Sequence, residues 1–178
     1  MPVIVALLRA VNVGGVKLPM ADLRTAAAEA GIDDVSTYIQ SGNLVGRTSQ
    51  RSTAKVAQSL ADAITATCSI SPEVTVRTRA ELAKAIDDDP FVARGEDTST
   101  VHIVFGIAAK PTWKGLDDLE RWLPEEVQVV GRDLHLHLPN GMGRSKLAVD
   151  LSKKAMREGT GRNWRTCTTL LSMCDDLS

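Results

Sequence analysis

The feature that most constrains this chain is a fixed order of hydrophobic patterns that runs once through the first half and returns in the second. Val3–Leu8 is an unbroken apolar run, the mark of a strand buried on both faces. A loop follows through Val11, Asn12, Val13, Gly14 and Gly15. Pro19 then opens a helix from Met20 to Ala30, with Met20, Leu23, Ala27 and Ala30 on one stripe and Gly31 just past its end. Val35–Gln40 and Leu44–Thr48 read as strands joined by a turn at Ser41, Gly42 and Asn43. Ser52 is placed to cap a helix carrying Val56, Leu60, Ala63 and Ile64. Glu73–Arg77 alternates as a short strand, and Thr78 with Glu81 makes a capping box for a helix bearing Leu82 and Ile86.

The second half repeats that order. Thr100–Ile107 reads as a strand, and Lys114–Leu123 as a helix with Leu116, Leu119 and Leu123 inward, stopped by Pro124. Val127–Val130 and Leu134–Leu138 form a hairpin about Gly131 and Arg132. Ser145 caps a helix with Leu147, Leu151 and Ala155 on one side, an extended stretch follows near Thr160, and Asn163 starts the last helix. The expected fold is α+β: duplicated ferredoxin-like βαββαβ units, residues 1–92 and 100–178, each followed by an extra helix, with a polar linker at 93–99. The copies share order rather than residues. Aromatic residues are only 3% of the chain, so a lone half would have a thin core, and the two are expected to pack as one body.

Charge narrows the function. Lys and Arg total 21 against 22 Asp and Glu, a net charge of -1, without the basic stripe that binds a phosphate backbone. Few aromatics leave few platforms for stacking bases, so nucleic acid is disfavoured as a partner. The N-terminal apolar run ends at Arg9, too short for a signal peptide or a membrane span, which places the protein in the cytoplasm. Cys68, Cys167 and Cys174 form no CxxC and read as small buried or half-buried thiols. Asp87–Asp88–Asp89 and Asp117–Asp118 read as solvated acidic ends.

Three stretches stand out as blocks. The first is Leu7–Gly15 running on to Pro19–Leu23; the second is Thr37–Leu44; the third is Gly143–Leu147 followed by Arg162–Thr166. In order and over the whole length, these resemble the signatures of a bacterial family known as domain of unknown function 1697 (DUF1697). The third block departs from that pattern at Gly161, where Thr is expected, and at Arg165, where Asn is expected. The resemblance implies no particular reaction, and the cofactor stays unknown.

In a βαββαβ unit the first two strands are parallel, with the third between them, so the loop after strand one and the turn after strand two share a sheet edge. That brings Arg9, Asn12, Gly14, Gly15 and Lys17 beside Ser41, Gly42 and Asn43. Cations, amides and glycine N–H groups together suit a small anionic or phosphorylated metabolite. The same glycines and asparagines can equally serve only to shape the loops. Arg144 and Ser145, and Arg162, Asn163 and Trp164, are secondary candidates at helix starts. His102, His135 and His137 are expected on one sheet face, a weak candidate for a metal or else a solvent-facing polar side. No nucleophile motif marks the chain as an enzyme. The alternative to ligand binding is a non-catalytic assembly or regulatory module, a homo-oligomer included, that works through a sheet face or edge.

Overall fold

Two four-stranded antiparallel sheets and six helices make an α+β fold. The computed structural model describes every residue from Met1 to Ser178 and falls into two units, Met1–Ala83 with Thr169–Ser178, and Lys84–Thr168.

The first unit holds β1 (Val3–Leu8), α1 (Met20–Glu29), β2 (Ile32–Tyr38), β3 (Asn43–Thr48), α2 (Thr53–Cys68) and β4 (Val74–Thr78), with strand order β2-β3-β1-β4. Ile4, Ala6 and Leu8 point from β1 into a core shared with Leu44, Leu23, Leu60 and Ile64. Val5 and Leu7, on the other face, are as deeply buried, as an unbroken apolar run requires. β2 begins earlier and ends sooner than its pattern predicts, because its register slips between Asp33 and Ser36 and Ile39 turns to φ 48°. Ser52 caps α2 by accepting the N–H of Lys55 at 3.3 Å. Ser52→Ala is therefore expected to lower stability by about 1 kcal/mol, read as a shift of the urea midpoint. The capping box forms in both directions: Thr78 Oγ1 accepts the Glu81 N–H at 3.1 Å, and Glu81 Oε2 accepts the Thr78 N–H at 2.8 Å. It starts α3 (Arg79–Asp87).

The second unit holds α4 (Pro90–Ala93), β5 (Val101–Gly106), β6 (Glu126–Val130), β7 (Asp133–His137), α5 (Lys146–Leu151) and β8 (Gly159–Asn163), with strand order β6-β7-β5-β8. α6 (Trp164–Asp176) follows. Val104, Leu134, Leu136, Leu138, Leu147 and Leu151 form the core with Trp113 and Trp122. The helix expected over Lys114–Leu123 is absent, replaced by loop and one 3₁₀ turn, Glu120–Trp122. The cause lies just before it. Trp113 sits at φ 48° and Gly115 at φ 91°, and the Glu158 carboxylate takes the N–H groups of Thr112 and Lys114 at 2.6 and 3.0 Å. Burial alone pushes the Glu158 carboxyl up, but the N–H donors of Lys114, Thr112 and Trp113 outweigh it and hold the group below its ordinary range. With no helix there, Leu119 and Leu123 do not face inward; they are 44% and 63% exposed.

α4 has no counterpart in the sequence reading, and it corrects the reading of Asp89 as a solvated acid. Asp89 is 1% exposed and caps α4, accepting the N–H groups of Phe91 and Val92 at 3.0 and 2.9 Å. The two sheets also match in residues where only order was expected. In β4, Thr75 and Arg77 stand opposite Leu7 and Val5; in β8, Thr160 and Arg162 stand opposite Phe105 and Ile103. Each buried arginine donates Nη1 to the threonine two residues before it, at 2.8 Å from Arg77 and 2.7 Å from Arg162.

Candidate functional site

The loop after β1 is built by one side chain. Asn12 Oδ1 accepts the N–H of Leu18 at 2.8 Å, while its Nδ2 donates to the carbonyls of Leu18 at 3.0 Å and Gln40 at 2.6 Å. That last bond, with Leu8 N–H donating to Gly42 O at 2.8 Å, ties the loop to the turn between β2 and β3. Left-handed backbone gathers at this corner: Ala10 at φ 55°, Asn12 at 54°, Ile39 at 48°, Gly14 at 59°, Gly15 at 88° and Gly42 at 75°. Asparagine tolerates that region, but a β-branched isoleucine there is strained. Gly42 is required twice over, because a Cβ on it would lie 2.5 Å from Val11 Cγ2 and 2.7 Å from Leu8 Cβ.

Beneath the loop is a groove of about 390 Å³. Arg9, Ala10, Val11 and Val16 line it from one side, and Ile70, Ser71, Pro72 and Glu73 from the other. Arg9 Nη1 meets Glu73 Oε2 at 2.5 Å on its wall. The residues singled out from sequence thus divide. Asn12 is committed to backbone, and the buried Asn43 donates Nδ2 to the carbonyl of Tyr38 at 3.0 Å. Gly14, Gly15, Lys17 and Ser41 are exposed near the corner without lining the groove. Arg9 alone of the eight lines it, opposite segment 70–73, which the sequence reading did not single out.

The three histidines do not share a face. His102 stands opposite Leu136, while His135 and His137 stand opposite Ile103 and Val101, so the pleat sends His102 to the other side of the sheet. Nor are His135 and His137 solvent-facing: both are buried. His135 Nδ1 lies 2.5 Å from Asp89 Oδ2, and its Nε2 has no hydrogen-bond partner. His137 stacks on Phe91 with ring centroids 5.6 Å apart and has Glu96 at 3.3 Å. Burial holds the His102 imidazole below its ordinary range, opposed by a bond with the backbone of Thr100. No group of three or more His, Cys, Asp or Glu is arranged to hold a metal ion.

The secondary candidates are also separated. Ser145 is buried and caps α5, accepting the Ala148 N–H at 2.8 Å, and Arg144 is exposed beside it. Arg162 is buried within β8 rather than at a helix start, and burial lowers its guanidinium to about 10, still a cation at neutral pH. Burial pushes the nearby Cys167 thiol up to about 12, which makes it an inert core residue. Asn163 caps α6, accepting the Thr166 N–H at 2.8 Å. Trp164, half-buried, lines a second groove of about 490 Å³ with Thr98, Ser99, Asn163, Arg165 and Thr168.

The class these features define is a two-unit α+β protein with grooves of small-molecule size and no helix long and apolar enough to cross a membrane. A family model described as "Protein of unknown function (DUF1697)" matches residues 1–135, and the chain belongs to that family. The match takes in the first two sequence blocks; the third lies beyond it. The conserved bacterial protein SP0830 from Streptococcus pneumoniae has a similar fold, with a TM-score of 0.74 at 19% identity over 98% of this chain and 99% of that one. No curated protein matches the sequence.

Proposed function

We propose that the groove beneath the loop after β1 binds a small anionic ligand, and that Arg9 recognises its charge. The observation that carries this reading is the Arg9–Glu73 pair on the groove wall. The guanidinium already holds a carboxylate there, with the two side chains 28% and 53% exposed. Exposed ion pairs are worth about 0–1 kcal/mol, so a ligand's carboxylate or phosphate can take the place of Glu73 at little cost. Val11, Val16, Ile70 and Pro72 supply apolar walls for the rest of the molecule. The strained backbone at Ile39 fits a corner held in place for a task rather than for stability. Ser71 and Glu73 are the only hydroxyl and carboxylate lining the groove, so the reading is one of binding and assigns no reaction.

A thermal-shift screen of phosphorylated and carboxylate metabolites tests it. Some member of the panel is expected to raise the melting temperature, and Arg9→Ala is expected to remove that shift. If no anion shifts the wild type, or if the shift survives Arg9→Ala, the site is wrong.

Assembly through a sheet face or edge stands second. The strands β1, β3, β4, β5 and β7 expose no large apolar side chain, and the edge strand β2 carries Asp33 and Asp34 beside its register slip, devices that discourage edge pairing. We also infer that the chain is a duplication of a ferredoxin-like unit over residues 1–92 and 100–178. The matching strand orders and the paired Thr–x–Arg registers of β4 and β8 support it, with the first crossover of the second copy reduced to loop.

A further inference from the structure

We propose that the groove beside Trp164 is a second binding site, for a phosphate or carboxylate carried on an aromatic or apolar body. The groove lies wholly within the second unit and is larger than the one beneath Arg9, about 490 Å³ against about 390 Å³. The decisive contrast is in the cations. Arg9 is already paired with Glu73, whereas the exposed Arg165 makes no side-chain hydrogen bond or ion pair. An unpaired guanidinium on a groove wall is a fork of donors suited to one anionic group.

The other walls suit the body of such a ligand. Trp164 is half-buried, so its indole presents accessible apolar surface to the groove. Thr98 is exposed on the facing segment and can donate a hydroxyl. The one carboxylate adjoining that segment, Asp97, is turned to the chain, accepting the Ser99 N–H at 2.9 Å, and does not line the groove. The start of α6 is not what makes the site, since Asn163 already takes up the Thr166 N–H. The site is the cavity with its free cation and its indole wall.

Tryptophan fluorescence reads this groove selectively. The chain has three tryptophans, of which Trp113 and Trp122 are 6% and 3% exposed, so iodide reaches Trp164 first. Phenyl phosphate titrated into the full-length protein is expected to protect Trp164 from iodide quenching along a saturable curve, with inorganic phosphate weaker for want of an apolar body. Arg165→Gln is expected to weaken phenyl phosphate binding by about tenfold or more, as loss of a charged hydrogen-bond donor does. Arg9→Ala is expected to leave the curve unchanged, which separates this site from the groove proposed above. An unsaturable response, an Arg165→Gln curve equal to wild type, or loss of protection in Arg9→Ala would each overturn the assignment.

Discussion

Replacing Asp89 by alanine is expected to destabilise the protein by about 3–5 kcal/mol, the cost of breaking a buried ionisable pair by removing one partner. Asp89 serves three donors at once. Oδ2 meets His135 Nδ1 at 2.5 Å, and Oδ1 accepts the N–H groups of Phe91 and Val92 at 3.0 and 2.9 Å. Both side chains of the Asp89–His135 pair are 0% exposed, so no water reaches the groups left behind. His135 has no reserve, because its Nε2 already lacks a partner. Asp89→Asn keeps an acceptor for the cap, and is expected to recover part of the loss. Urea denaturation checks this through the shift in ΔG at constant slope. A loss below about 1 kcal/mol would mean that the pair and the cap contribute no more than an ordinary surface contact.

Gly42→Ala is expected to cost about 2–4 kcal/mol, through left-handed strain and overpacking together. At φ 75° any side chain is strained, and here the added Cβ would lie 2.5 Å from Val11 Cγ2. Val11 lines the groove beneath Arg9, so the same clash that destabilises the protein also disturbs the proposed site. Gly14 and Gly15 supply the comparison. Both have positive φ, but nothing lies within 4 Å of a Cβ built on either. Their alanine variants are expected to lose only about 1 kcal/mol, the conformational share alone. Thermal melts of the three variants separate the two terms. Equal losses at all three positions would show that the Val11 contact adds nothing.

The elements that could be read from sequence are those fixed by neighbours in the chain. The apolar run Val3–Leu8 needed only its own pattern, and the caps at Ser52, Thr78, Ser145 and Asn163 act within three residues of themselves. The Lys114–Leu123 helix failed because its leucine spacing carries no sign of Glu158, whose carboxylate takes the N–H groups ahead of it. Asp89 and His135 are 46 residues apart, and the run of three aspartates hid the one that turns inward. The histidines were misplaced for a geometric reason: alternation fixes the faces within one strand, but the register between β5 and β7 decides which faces coincide.

The candidate site was legible to the same depth. Strand order alone predicts that the Arg9–Lys17 loop meets the Ser41–Asn43 turn, and Asn12 makes that contact through Gln40. Which residues line a groove there was not legible. Glu73 reaches Arg9 because β4 pairs beside β1, where the Arg9 N–H donates to Glu73 O at 2.9 Å, across 64 residues of chain. A Thr–x–Arg sequence stands at Thr75–Arg77 and again at Thr160–Arg162, a short repeat that gains weight only once each is known to sit on the last strand of its sheet.

If the groove binds an anion as proposed, Glu73 occupies on Arg9 the position of that ligand's charged group. Isothermal titration of the best-binding anion into wild type and Glu73→Gln measures that directly. Freed of its competitor, Arg9 is expected to bind the anion up to about fivefold more tightly in Glu73→Gln, the equivalent of the exposed ion pair it no longer makes. Weaker binding in that variant would instead make Glu73 part of the ligand's own contacts and contradict the account.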